Sequence, residues 1–224
     1  MKVKLKRGQV DKLTDYTKDH KLICGIDEVG RGPIAGPVVS CALIMPSDRR
    51  IDQVRDSKKL SDKKRRMLAK EIYDDALAVG FGVVDQELID DINIRQATHL
   101  SMNLAIINLR DKNDQKVYPD LALIDAETID NDIDQVSIIG GDDSVYEISC
   151  ASILAKVYRD DMMIEYGKKY PSYGFENHKG YGTKAHYLAI DEVGICPIHR
   201  KTFLRKYYEK KQETSGHDGG RDSL

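Results

Sequence analysis

Three short apolar runs in this chain each end at acidic residues, and that repetition limits what the chain can fold into. The first is Ile23-Cys24-Gly25-Ile26 before Asp27-Glu28 and the second Leu121-Ala122-Leu123-Ile124 before Asp125. The third, 136–139, precedes Gly140-Gly141-Asp142-Asp143. Runs of this length, bounded by glycine and acids, read as buried strands. With helical segments interleaved, they predict an α/β fold, a mixed sheet with helices on both faces. In such sheets the ligand crevice lies beyond the strand ends, so separate strands can deliver carboxylates to one place. Gathered carboxylates repel strongly unless cations neutralise them. Two Mg²⁺ ions about 3.5–4 Å apart do so, and such a pair drives in-line phosphodiester hydrolysis. Taken alone, Asp125 reads better as a strand-end turn residue and Asp142 as a helix cap. Together with Asp27 and Glu28 they read better as a metal centre.

The stretch Asp27-Glu28-Val29-Gly30-Arg31-Gly32-Pro33 adds a second element. Neighbouring side chains on a strand point to opposite faces, so at most one of Asp27 and Glu28 can lie against a core. The Gly-Arg-Gly turn offers backbone that a ligand can approach closely, plus one fixed positive charge. That combination predicts a metal centre beside a grip for something phosphorylated. Rival motifs fit less well. Gly30-x-Gly32-x-x-x-Gly36 has the wrong spacing for a dinucleotide loop, with Pro33 where a helix should open. There is no G-x-x-x-x-G-K-[ST], and His178 and His186 lack an H-E-x-x-H context, so phosphate contact or plain surface suits them better than zinc. In His178-Lys179-Gly180-Tyr181-Gly182-Thr183 the tyrosine lies between glycines. Its ring could stack on a sugar or base and Lys179 reach a phosphate; the alternative is an aromatic folded down onto a helix.

With 41% hydrophobic and 32% charged residues, the 224-residue chain can bury a sizeable core and should be soluble. No apolar run is long enough for a membrane span, and the first residues lack a secretion signal. Cys24, Cys41, Cys150 and Cys196 are scattered without C-x-x-C spacing, as expected of buried thiols in a cytosolic protein. The net charge of -2 conceals a net of +9 over residues 1–70, -14 over 71–150 and +5 over 151–211. Basic flanks around an acidic middle suit a phosphate-binding surface around a carboxylate site, although solvated helix faces would leave the same record.

Along the chain, 1–20 reads as a lead-in, a short helix or a mobile arm. Strands are expected over 21–28, 38–45, 79–84, 121–125 and 136–139. Gly80 and Gly82 allow a close approach in the third of these. Helices are expected after Ser61, which can cap one, and over 94–110, 144–169, 184–193 and 198–210. The tail 212–224 reads as disordered.

The motifs GIDEVGRGPIAGPV, DSKKLS, LIDA, ASILAKVYRD and YPSYGFENHKGYGTKAHYLAIDEVGICPIHRKTF, in that order, resemble ribonuclease HII, the type 2 ribonuclease H family, over roughly 22–204. The resemblance implies a ribonuclease-H-like mixed β-sheet over 21–170 and a C-terminal helical region, 171–211, that covers the substrate. It places the metal-binding, catalytic carboxylates on Asp27, Glu28 and Asp125. The fourth falls on Asp142, with Asp143 beside it and Glu147 a turn later as alternatives. It assigns Gly30, Arg31 and Gly32 to reading a ribose 2′-hydroxyl, Tyr181 to sensing an RNA–DNA junction, and Lys58 and Lys59 to phosphate contacts. The implied activity is cleavage on the 5′ side of ribonucleotides, in RNA–DNA hybrids and singly embedded in duplex DNA. It would use two Mg²⁺ or Mn²⁺ ions, leave 3′-hydroxyl and 5′-phosphate ends, and serve ribonucleotide excision repair in the cytoplasm.

Only about 20 residues precede the first expected strand, too few for the extra N-terminal domain of type 3 enzymes. The tail shows no sliding-clamp docking motif, nothing suggests an obligate interface, and a monomer is expected. Two rivals remain: a type 3-like preference for long hybrids, and a non-catalytic nucleic-acid binder needing no Mg²⁺. The second gains nothing from acids that repel phosphate.

Overall fold

The computed structural model describes residues 1–54 and 61–216, with side chains as far as 213. Lys58 and Lys59, expected at phosphates, lie outside the described residues, as does 217–224. The strands are β1 (Lys2–Leu5), β2 (Ile23–Val29), β3 (Val38–Ile44), β4 (Ala78–Val84), β5 (Arg110–Asp111), β6 (Leu121–Asp125) and β7 (Asp134–Ile138). The helices are α1 (Leu13–Thr17), α2 (Asp62–Asp75), α3 (Gln86–Ile92), α4 (Ile94–Ile107), α5 (Gly141–Ser144), α6 (Tyr146–Lys169), α7 (Phe175–His178), α8 (Lys184–Val193) and α9 (Lys201–Gly216).

The strands form one mixed sheet in the order β1-β7-β6-β2-β3-β4-β5. β2 runs antiparallel to β3 and parallel to β6, which runs parallel to β7. The three acid-terminated strands therefore point the same way and discharge at one sheet edge. Register places Ile26 beside Ile124, which makes Asp27 and Asp125 next in line on adjacent strands.

Strand periodicity sorts the core into two layers. Cys41 and Leu43 pack with α2 and α6 residues such as Leu68, Ile72 and Ile153. Cys24, Ile26, Ala42 and Ile44 pack on the opposite face with Met102, Ala105 and Ile106 of α4. Glycines let both helices approach closely. A Cβ on Gly25 would lie 2.2 Å from the Glu147 carbonyl carbon of α6, and one on Gly82 would lie 1.8 Å from the Ser101 carbonyl oxygen of α4. The close approach expected at Gly82 is thus the crossing of α4.

Three expectations are corrected. Residues 2–5 are not a helical lead-in or a mobile arm but an edge strand, parallel to β7, with Leu5 buried against Leu123, Val136 and Ile138. The Lys-Val-Lys-Leu alternation carries that strand signal, and the lysines mask it. Helix α3 went unforeseen although Asp85 caps it, its Oδ1 accepting from the Leu88 amide at 2.9 Å. Helix α9 continues through Gly216, past the point where disorder was expected. Beyond the sheet, α7, α8 and α9 enclose their own cluster, in which Phe175, Ile190, Ile198 and Leu204 close on Ile34, Ala35 and Met163. Among the described residues no helix is long and apolar enough to cross a membrane.

Candidate active site

The two acids ending β2 separate as strand geometry requires. Asp27, in phase with Gly25, turns toward α6, is 5% exposed, and accepts hydrogen bonds from the Glu28 amide (2.8 Å) and from Ser152 of α6. Burial first, then the Glu28 and Asp125 charges, push its carboxyl well above the ordinary range. Glu28, in phase with Cys24 and Ile26, lies on the α4 side. Burial raises its carboxyl too, against the Arg31 charge, which pulls it down.

Arg31 reaches back from the turn to join two acids. Its Nη1 donates to Glu28 Oε1 at 3.2 Å and to Glu127 Oε1 at 2.9 Å. Glu127 Oε2 in turn lies 3.0 Å from Nε2 of His99 on α4. Burial opposes the Glu127 charge, but hydrogen bonds from His99 and Arg31 outweigh it and hold that carboxyl below the usual range. The other Glu28 oxygen, Oε2, is buried with no hydrogen-bond partner among the described residues. A buried carboxylate oxygen left bare is costly, and a hard cation is a partner that suits it.

Asp125 is tied to the next element, its Oδ1 accepting from the Gly141 amide at 2.7 Å. That bond fixes the start of α5, where Gly140 adopts a left-handed conformation and Asp142 occupies the first turn, partly buried. Asp143 is exposed and faces Arg7 at 3.6 Å, while the Glu147 backbone lies against Gly25. Asp27, Glu28 and Asp125 therefore stand within electrostatic range of one another. Among the described residues, however, no three His, Cys, Asp or Glu side chains already surround one cation-sized point.

The Gly30–Gly32 turn and the Tyr181 loop are laced together. The amides of Ile34 and Ala35 donate to the Gly180 carbonyl at 2.9 and 3.3 Å. A Cβ on Gly32 would lie 3.6 Å from Cε1 of Tyr181, a residue that is 44% exposed. Two wholly buried arginines hold this junction. Arg159 of α6 donates to the carbonyls of Pro37 (2.9 Å), Ala35 (3.2 Å) and Lys179 (2.9 Å). Arg200, just before α9, donates to those of Gly36 (2.9 Å), Arg31 (3.0 Å) and Gly30 (2.6 Å).

His186 is not a surface or phosphate-contacting residue; it is fully buried, and its Nδ1 donates to the Tyr181 carbonyl at 2.9 Å. His178 donates from Nε2 to the Tyr173 carbonyl at 2.8 Å. The four cysteines are free thiols, three of them buried. Sequence reasoning passed over Ser152, Glu127, His99, Arg159 and Arg200. Glu127, two residues past Asp125, carried a local signal; a buried arginine carries none, because arginine is ordinarily a surface residue.

Acids from parallel strands converging on one sheet edge, flanked by a helical C-terminal region, define an α/β fold of the ribonuclease H class. The ribonuclease H2 from Pyrococcus horikoshii superposes with a TM-score of 0.70 at 23% identity, over 86% of this chain and all of that one. Bst-RNase HIII in complex with Mn²⁺ does so with a TM-score of 0.61 at 17% identity, over 89% of this chain and 71% of that one. Residues 24–211 match the family model described as Ribonuclease HII. The Ribonuclease HII of Enterococcus faecalis is 51% identical over 188 residues, 84% of this chain and 71% of that protein. The chain belongs to the ribonuclease HII family of type 2 ribonuclease H endonucleases.

Proposed function

We propose that this enzyme hydrolyses the phosphodiester on the 5′ side of ribonucleotides, both in RNA–DNA hybrids and singly embedded in duplex DNA, leaving 3′-hydroxyl and 5′-phosphate ends. The carrying observation is the adjacency of Gly32 and Tyr181, so close that a Cβ on Gly32 would lie 3.6 Å from the Tyr181 ring, on a turn whose Arg31 bonds Glu28. A group able to sense a 2′-hydroxyl and a ring able to pack on a sugar thus flank the carboxylates. Because RNA differs from DNA in that hydroxyl, a turn of backbone donors and acceptors selects ribose without reading a base. Tyr181 packed on the next sugar favours deoxyribose, so the pair specifies a junction.

The carboxylates fit divalent cations, because Glu28 Oε2 is buried without a partner among the described residues and Asp27 is costly to ionise where it lies. Asp27, Glu28, Asp125 and Asp142 would hold two Mg²⁺ or Mn²⁺ ions; the Mn²⁺ complex of the ribonuclease HIII neighbour is consistent with this. Such ions supply Lewis acidity toward the attacking water and the departing oxygen. The partly buried place of Asp142 in the first turn of α5, next to the Gly141 amide that Asp125 accepts from, supports it as the fourth ligand. The chain's own part is to orient the scissile phosphate against this edge from the Gly30–Gly32 turn. The protein acts as a monomer on nucleic acid in the cytoplasm, with 171–211 covering the substrate.

The test is an end-labelled DNA duplex with one internal ribonucleotide, incubated with Mg²⁺, Mn²⁺ or EDTA. One metal-dependent cut 5′ of the ribonucleotide is expected. Degradation of a long hybrid without that cut would transfer the specificity to a type 3-like substrate, and binding without cleavage would refute catalysis.

A further inference from the structure

The three guanidinium hydrogen bonds of the buried Arg200 all go to backbone carbonyls, two of them those of Gly30 and Arg31 in the turn itself. In a trans peptide the N–H points opposite to its C=O, and the described chain contains no cis peptide. With the Gly30 and Arg31 carbonyls drawn inward, the amide N–H groups of Arg31 and Gly32 face outward, away from Arg200. Tyr181 borders Gly32, and the Arg31 side chain reaches Glu28. Successive outward amides form a concave donor pair suited to an oxygen. Gly30 takes φ +94, a left-handed conformation open to glycine, and a Cβ there would lie 2.3 Å from Arg159 Nε.

We propose that Arg200 is a positioning residue for ribose recognition, holding the Arg31 and Gly32 amides as donors toward the 2′-oxygen. This rests on the reading of the turn given above. The donor pair is satisfied by an oxygen at the 2′ position and left bare by a deoxyribose, which is where discrimination arises. Arg159, equally buried, also binds three carbonyls, those of Ala35, Pro37 and Lys179, and packs against Gly30 without bonding the two peptides at issue.

The experiment compares binding, under cleavage-free conditions in Ca²⁺, of two DNA duplexes that differ by one 2′-hydroxyl. A lysine cannot span the guanidinium fork. In Arg200→Lys the ratio of affinities, ribonucleotide duplex over all-DNA duplex, should fall about tenfold, while affinity for the all-DNA duplex changes less than about twofold. A general loosening of the fold would weaken both duplexes alike. A parent ratio well above one that Arg200→Lys retains would overturn the proposal alone; a parent ratio of one would refute the reading of the turn, and the proposal with it. Should Arg200→Lys not fold, the parent decides: the Arg31 and Gly32 amide resonances should shift with the ribonucleotide duplex and not with its all-DNA counterpart. Equal shifts with both would overturn the proposal.

Discussion

Nε2 of His199 lies 3.0 Å from Nε2 of His186, deep beneath the Tyr181 loop, and the surrounding bonds fix which nitrogen carries the proton. His186 Nδ1 donates to the Tyr181 carbonyl, and His199 Nδ1 accepts from the Cys196 amide at 3.0 Å, the shorter of its two Cys196 backbone contacts, the carbonyl lying at 3.2 Å. His199 Nε2–H therefore donates to a bare His186 Nε2, and both rings are neutral. A proton added to His186 would face the proton of His199. Burial lowers His186 to about 4 and lowers His199 as well, with His178, stacked 4.3 Å from His186, adding to both.

This wiring predicts acid sensitivity. Between about 4 and the ordinary 6.5 the unfolded chain binds more protons at His186 than the folded one does. Its contribution to stability is complete above 6.5 and is lost as pH falls toward 4. Urea midpoints of the parent and of His186→Gln, followed from about pH 7.5 to about pH 4.5, should converge on acidification. A constant gap would contradict the neutral pair.

Asp27→Asn should abolish cleavage while leaving substrate binding largely intact. Because burial and its neighbours raise the Asp27 carboxyl, its share of metal-free stability is present at acid pH and lost as pH rises. The amide escapes that loss, so in EDTA at neutral pH the variant should melt about 2–4 °C higher than the parent. Added Mn²⁺ should raise the melting point of the parent and leave that of the variant unchanged. Full activity in Asp27→Asn would refute its role as a ligand.

Arg31 divides its Nη1 hydrogen bonds between Glu28 and Glu127. In Glu127→Gln the arginine should commit to Glu28, and a cation must then compete with a stronger pair. Calorimetric titration with Mn²⁺ should show affinity reduced about fivefold, the modest size expected of a partly exposed ion pair. Unchanged affinity would mean that Glu127 does not influence the metal site.

Tyr181→Ala removes an exposed ring, so stability should stay within about 0.5 kcal/mol of the parent. Cleavage at a single-ribonucleotide junction should nonetheless fall. Equal kcat/KM for variant and parent would remove Tyr181 from the site.

Gly82→Ala should cost about 2–4 kcal/mol in urea unfolding, because the added methyl meets the Ser101 carbonyl and α4 must move off the sheet. A neutral result would show that α4 packs differently.

Local pattern was enough to place β2, β3, β4 and β6 to within one or two residues, because short apolar runs between glycine and acids have few other uses. It also offered Asp27, Glu28, Asp125 and Asp142 as a set. It failed at Lys2–Leu5, where an edge strand has one face to bury and two lysines on the other. It failed again at His186, which looks like a surface residue until the surrounding chain closes over it. The sequence by itself determined the central strands, the acids at their ends and the glycines at the turn, since these follow from side-chain period and backbone permissiveness over a few residues. Only the tertiary structure decided that Ile26 pairs with Ile124, that Arg31 lies between Glu28 and Glu127, and that Arg200 holds the Gly30 and Arg31 carbonyls. Those contacts join residues up to 170 positions apart. Each is favourable only once burial has removed the water that would otherwise compete for the same hydrogen bonds.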